Sequence, residues 1–370
     1  MIYLNNAATS WPKPACVAQA VCAAVAEPPG ESSRGGLQRF DVFQAVRQAL
    51  CPVLGVKEPE QIALGPNATW ALNLALYGLD LKPGERVLAT AAEHNSVLRP
   101  LNDLAARLGV RVEFLPCGPE GRVPLAAWQE ALLRLRPRLA VFTHASNVTG
   151  AAHDAAGFCR AAKAAGAAVL VDLSQTLGFL PVALEEWGAD LAAFTGHKYL
   201  LGPQGTGGLW VRPGLSLRPH LVGGTGVRSE LSYMPGEMPL RLEAGTGNEP
   251  GFAGLLAALA WAAEHPLDRA AVHANLCALR QGLRAAGARV IEPEGECTPV
   301  VSFTLPGLPA AELAYALYEG EGVVCRTGLH CAPRIFPCLG VKETVRFSLS
   351  RFTTAEEVLC AVRAVEAAKG

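Results

Sequence analysis

Between Gln61 and Val211 the chain keeps one rhythm: a short apolar run, a turn, a stretch at helical spacing, then the next apolar run. The apolar runs lie at 61–64, 86–90, 111–115, 139–143, 168–172, 191–194 and 209–211. Helical patterns fill most of the gaps, at 69–77, 98–108, 125–133 and 155–165. Strand–helix alternation of this length predicts a mostly parallel sheet covered on both faces. In such sheets ligands bind beyond the carboxyl ends of the strands, so each polar residue just after a strand is a site candidate.

The flanks read differently. Residues 3–9 are an arm or loop, broken by Trp11-Pro12-Lys13-Pro14. A helix over 15–26 is ended by Pro28-Pro29-Gly30. A polar loop over 31–36 holds Arg34, and a helix over 40–54 comes next. After Thr206 the rhythm stops; 219–238 reads as a long loop and 250–264 as a helix. The remainder reads α+β, with helices at 268–286, 309–319 and 354–369 and strands at 300–304, 322–326 and 344–349. The expected organisation is α/β: a large domain over 15–250 with a mostly parallel seven-stranded sheet, and a smaller α+β domain from 1–14 and 251–370.

The stretch Thr195-Gly196-His197-Lys198 lies between an apolar run and the glycine-rich turn Gly202 to Gly208. Lysine is costly to bury unless it is paired or put to use. A buried lysine of lowered pKa attacks carbonyls and forms a Schiff base. The Thr195 hydroxyl and His197 imidazole can hold a phosphate. Gly205, Gly207 and Gly208 let backbone approach a bulky group. Together they point to pyridoxal phosphate on Lys198, with a surface lysine beside a flexible turn as the plain alternative.

Other strand ends carry further candidates. Asn67-Ala68-Thr69-Trp70 opens a helix, offering N–H groups to an anion or simply an N-cap. His94 can stack on an aromatic cofactor, move protons, or be structural. Asn147 can donate to a ring oxygen or a substrate carboxylate, or serve the Thr149-Gly150 turn. Asp172 ends an apolar strand, where an unpaired charge is costly; a protonated pyridine nitrogen would satisfy it. In Arg326-Thr327-Gly328-Leu329-His330-Cys331-Ala332-Pro333 a cysteine directly succeeds a histidine, with an arginine five residues earlier. A nearby cation favours thiolate. Arg346 is a lone cation within a strand, suited to a carboxylate clamp or a salt bridge.

Bulk properties narrow the class. A formal net charge of −1 with no Lys/Arg run leaves no nucleic-acid footprint. The longest apolar stretch, 252–263, is too short to span a bilayer. Eleven cysteines with neither a signal-like N-terminus nor a C-x-x-C pair point to reduced thiols in the cytoplasm, without a zinc or other metal site.

From residue 3 to the last helix the chain resembles the class V aminotransferase-like family of PLP enzymes. Within it, the chain is similar to group II cysteine desulfurases, which include selenocysteine lyase. The motifs that carry the resemblance are Thr195-Gly196-His197-Lys198 and Arg326-Thr327-Gly328-Leu329-His330-Cys331-Ala332. It implies fold type I and removal of sulfur from L-cysteine, or selenium from L-selenocysteine, to give alanine. Lys198 would carry pyridoxal 5'-phosphate and act as base. Asp172 would pair with the pyridine nitrogen, Gln175 with the 3-hydroxyl, and His94 would stack on the ring. Ala68, Thr69, Thr195 and His197 would hold the phosphate. Thr246 would reach the phosphate of a second subunit, implying a homodimer. Asn147, Arg326 and Arg346 would bind substrate, Cys331 would take the sulfur as a persulfide, and a sulfur-acceptor protein would collect it. Arg34 matches an arginine of the family's glycine-rich N-terminal loop, and Asn5 stands where the family has an acidic residue. An aminotransferase or another PLP lyase of the same fold requires no cysteine in the second motif. A scaffold without catalysis would have no need of Lys198, Asp172 and Cys331 together. A dinucleotide site is disfavoured because the glycines at 205–208 precede a strand instead of coming after one.

Overall fold

The structure, a computed structural model, describes residues 1–27 and 40–369; Arg34 lies outside the described residues. A two-residue strand, β1 (Ile2–Tyr3), comes first. Among the described residues a seven-stranded sheet is built from β2 (Ile62–Gly65), β3 (Arg86–Thr90), β4 (Arg111–Leu115), β5 (Leu139–Thr143), β6 (Ala168–Asp172), β7 (Leu191–Thr195) and β8 (Gly207–Val211). Their order is β2-β8-β7-β6-β5-β3-β4. All neighbours pair in parallel except the two pairs made by β8.

Strands this apolar have two faces to cover. Phe142, Val169, Val171, Ala192 and Phe194 enter a core on one face. Val141, Ala168, Leu170, Leu191 and Ala193 enter a second core on the other. The alternation of successive side chains along each strand divides one run between two cores. Helices Asn95–Leu108, Leu125–Leu135 and Ala155–Ala164 connect the parallel strands. Helix Glu249–Glu264 packs on Ala15–Ala26 and Val42–Leu54, and its Phe252, Leu255 and Leu259 join the first core. No helix among the described residues is long and apolar enough to cross a membrane.

A second, antiparallel sheet has the order β12-β13-β10-β9, from β9 (Arg289–Ile291), β10 (Val300–Thr304), β12 (Arg326–Gly328) and β13 (Thr344–Ser348). Between them β11 (Val323–Val324) pairs in parallel with β1. The single strand expected over 322–326 is therefore two. At Cys325 the chain leaves β1 and takes β13 as its partner. The arm expected as loop is likewise tied down, because β11 offers β1 an edge to pair with.

Side chains alternate between the two faces of β13. Val345 and Phe347 point into a core formed with helices Arg269–Ala285, Ala310–Glu321 and Ala355–Ala367. Thr344, Arg346 and Ser348 therefore share the opposite face, and all three are fully buried.

Candidate active site

The carboxyl ends of β5, β6 and β7 and the polar face of β13 converge on Lys198. Its amine lies within electrostatic reach of Asp172, Arg346, Arg326 and Cys331. Burial draws its pKa from the ordinary 10.5 down to about 8; Asp172 opposes that, while Arg346 and Arg326 reinforce it. Burial of a cation away from water favours the neutral amine. Lys198 is half-buried and in the field of these groups, unlike a freely solvated surface lysine.

Asp172 is the last residue of β6, next to β7 in the sheet. Its Oδ1 accepts from the Ser174 N–H at 2.9 Å and from the Ser174 hydroxyl at 2.5 Å. Burial raises its pKa, against the pull of Ser174 and Lys198. Gln175 donates through Nε2 to Ala7 O at 3.0 Å, and its buried Oε1 has no partner among the described residues. The buried His197 Nδ1 is also unpartnered, and burial lowers that imidazole's pKa to about 4. The Thr195 hydroxyl donates to Thr206 O over a long 3.3 Å. Gly207 is required here: a Cβ on it would stand 2.7 Å from Phe194 O and 2.8 Å from Asn67 Cα.

His94 caps helix Asn95–Leu108 with its own ring. Nδ1 accepts the Ser96 N–H at 3.1 Å, so the proton of the neutral ring sits on Nε2. Burial, then the charges of Lys198 and Arg326, depress its pKa to about 3. The ring is therefore neutral and a poor base, which favours stacking over proton transfer. The Ser96 hydroxyl lies 2.9 Å from that Nδ1 and 2.8 Å from the Thr69 hydroxyl. Ala68 is buried at the start of helix Ala68–Gly78 and Thr69 is exposed; Asn67 caps that helix through the Trp70 N–H.

The Cys331 loop arrives from the antiparallel sheet. Arg326 lies opposite Arg346 across β12 and β13. Its Nη2 is 2.8 Å from Cys331 Sγ. Two facing arginines repel, an arrangement suited to binding an anion. Asn147 Nδ2 donates to His330 O at 2.7 Å, and Asn147 O accepts from Arg346 Nη1 at 2.9 Å. Asn147 thus bolts the loop after β5 to both the cysteine loop and Arg346. Its plain reading as a turn residue does not account for either bond. Arg346 makes no ion pair among the described residues.

Thr246 stands apart from this cluster. It lies on the wall of a cavity of about 580 Å3 with Phe43, Trp70, Gly205 and Glu243, and Lys198 is not on that wall. Sequence reasoning gave no role to Ser174 or Glu93, and marked Asn5 only as standing in place of the family's acidic residue. Ser174 had a signal: a hydroxyl two residues after a strand-ending Asp is a turn bond in waiting. Glu93 is fully buried, with its pKa pushed up to about 8 by that burial, and nothing in its local sequence marks this.

The cluster presents a buried amine, an unpaired carboxylate oxygen, orphaned polar atoms on Gln175 and His197, and a guanidinium lacking an anion. That donor set fits an aromatic, anionic group such as pyridoxal phosphate.

Comparison with known proteins gives the same direction. The family model described as aminotransferase class-V matches residues 2–360. A protein of Xylella fastidiosa named probable cysteine desulfurase is 32% identical over 97% of this chain and 88% of its own length. The cysteine desulfurase CsdA of Escherichia coli is 30% identical over 99% of this chain and 94% of its own length. An apo cysteine desulfurase structure from Thermococcus onnurineus superposes with a TM-score of 0.89, at 30% identity, covering 99% of this chain and 94% of that one. The mostly parallel sheet with its antiparallel companion is fold type I of the PLP-dependent enzymes. The chain belongs to the aminotransferase class-V family.

Proposed function

We propose that this chain is a pyridoxal-phosphate-dependent cysteine desulfurase. It takes sulfur from L-cysteine, leaving L-alanine and a persulfide on Cys331. The carrying observation is that Lys198, Asp172, Arg326 and Cys331 come from two different sheets and act on one another in one cleft.

Pyridoxal phosphate, when bound, supplies an electron sink for the negative charge that develops at the substrate Cα. Lys198 is its attachment point. With substrate in place, Nζ would take the Cα proton; a pKa of about 8 suits that task near neutral pH. Asp172 would hold a proton at the ring nitrogen, and Gln175 would bond the 3-hydroxyl. His94, being neutral, would stack on the ring without adding charge. Ala68, Thr69, Thr195 and His197 would hold the phosphate. Arg346 and Arg326 take the substrate carboxylate, with Asn147 fixing both Arg346 and the cysteine loop. The Cys331 sulfur attacks the substrate sulfur, the Cβ–S bond breaks, and protons returned to Cβ and Cα give alanine.

In the same reading Thr246 reaches the phosphate of a second copy, making a homodimer. The chain divides into a large domain over 15–250 and a smaller one from 1–14 and 251–370. A cytoplasmic setting accords with all eleven cysteines being free, and a sulfur-acceptor protein collects the persulfide.

The test adds L-cysteine and a reductant to the cofactor-loaded protein. Alanine and sulfide in equal amounts are expected. Pyruvate in place of alanine would make it another lyase, and mercaptopyruvate without sulfide would make it an aminotransferase. Products from L-selenocysteine alone would reassign the substrate.

A further inference from the structure

The turn after β4 and the segment that trails Cys331 lie side by side. Arg334 places its guanidinium carbon 4.0 Å from the centre of the Phe114 ring. Ile335 packs on the bare backbone of Gly121, where a Cβ would stand 3.1 Å from its Cδ1. Gly118 N–H donates to Arg122 O at 2.8 Å and Gly121 N–H to Gly118 O at 2.9 Å, so the turn is held by its own bonds. The trailing segment runs into helix Phe336–Leu339, where Arg289 donates to Leu339 O at 3.0 Å and to Gly340 O at 3.2 Å.

Each side brings one cysteine to this seam. Cys117 is buried in the first core, and Cys338, half-buried, packs against the same core. Their thiols are within side-chain hydrogen-bond reach of each other, and neither is oxidised. Neither takes part in the chemistry assigned to Cys331, whose thiol has Arg326 as its neighbour. Two thiols held together by fixed backbone form a disulfide with little further ordering of the chain.

We propose that Cys117 and Cys338 are a reversible modification site: a low-molecular-weight disulfide such as oxidised glutathione converts them to a disulfide that ties the segment trailing Cys331 to the turn after β4. Cys338 reaches solvent and reacts first. Its sulfur attacks one sulfur of oxidised glutathione, the glutathione S–S bond breaks, and one glutathione leaves with the Cys338 proton. Cys117 then attacks the Cys338 sulfur of the mixed disulfide, and the second glutathione leaves with the Cys117 proton. Two protein thiols are oxidised and one glutathione disulfide is reduced; reduced glutathione reverses both steps. Burial, and then Cys338, raise the pKa of the Cys117 thiol, which leaves it to resolve the mixed disulfide and not to start the exchange. Cys338 lies seven positions beyond Cys331, so oxidation restrains the cysteine-bearing segment without consuming the Cys331 thiol.

The test uses the cofactor-loaded Cys331→Ala protein, which keeps the sulfur-carrying thiol out of the exchange. The probe is oxidised glutathione, read by peptide mass spectrometry, glutathione released and amide hydrogen exchange. A peptide crosslinked through Cys117 and Cys338 is expected, with two glutathione thiols released per crosslink. Exchange over residues 333–340 is expected to slow about tenfold or more, and dithiothreitol reverses every change. Adding Cys117→Ser is expected to stop the reaction at a mixed disulfide on Cys338. Adding Cys338→Ser abolishes both the crosslink and the slowed exchange. An unchanged circular dichroism spectrum confirms that each variant is folded. No crosslink in the folded protein overturns the proposal, as does Cys338 joined to a different cysteine. A crosslink that leaves exchange over 333–340 unchanged overturns the claim that it ties the segment down.

Discussion

Asn147→Ala probes how Cys331 is presented to the cleft. His330 and Cys331 both hold left-handed backbone, with φ of 48° and 59°. Each such non-glycine residue costs about 1–2 kcal/mol, so the pair stores about 2–4 kcal/mol. Three bonds oppose that strain: Asn147 Nδ2 to His330 O at 2.7 Å, Asn95 N–H to Cys331 O at 2.6 Å, and His330 Nε2 with Thr344 Oγ1 at 2.8 Å. A hydrogen bond contributes about 1 kcal/mol net, and a buried group left unpaired costs about 1–3 kcal/mol. Strain and restraint are therefore of similar size, and losing one bond shifts the loop. Alanine leaves the His330 carbonyl stranded, withdrawing about 1–3 kcal/mol from the held conformation. That corresponds to a fall of about 5- to 150-fold in its population, and in kcat/KM for sulfide release. The Asn147 carbonyl, and with it the bond from Arg346, survives the change. The assay pairs kcat/KM with the rate at which iodoacetamide alkylates Cys331, using cofactor absorbance to confirm that the rest of the cleft is intact. Unchanged kcat/KM and unchanged alkylation would refute the claim that Asn147 holds the loop.

The same geometry makes two further outcomes testable. Cys331→Ala keeps the cofactor absorbance and loses sulfide release from L-cysteine; intact cysteine turnover would make the nucleophile assignment wrong. Lys198→Met, compared with the unaltered apo protein by melting temperature, tests the lowered amine pKa. Below about pH 8 the amine is charged in both folded and unfolded chains, and its burial destabilises the fold. Between that pH and the unfolded value near 10.5, the unfolded chain binds the extra proton, so stability rises with pH. The variant is expected to melt higher at neutral pH, with its advantage shrinking over this window; a gap independent of pH would contradict it.

The central strands of the large sheet were legible because they are buried on both faces, which writes a short apolar run into the sequence; the half-buried edge strand β4 was legible by its apolar positions alone. β3 to β6 begin and end where the runs do. Short or divided strands were not legible. β9 is three residues opening on an exposed arginine, and β1 has only two. The run at 322–326 carries no mark of the change of partner at Cys325, since strand pairing is decided by remote chain. Helix Asn95–Leu108 starts earlier than its apolar spacing predicts, because a histidine ring acts as the cap in place of the usual Ser, Thr, Asp or Asn. In the site, Lys198, Asp172 and Cys331 stood out because each is a polar group at an apolar or glycine-rich junction. The contact of Asn5 with Arg346 was not legible, since the two lie 341 positions apart along the chain.

The most direct test of the central claim is a single turnover with L-cysteine, without reductant, then peptide mass spectrometry and alanine quantification. The account predicts one sulfur atom added to the peptide carrying Cys331, with alanine formed in equal amount. Alanine formed while the added sulfur sits on another cysteine, or on none, would contradict it.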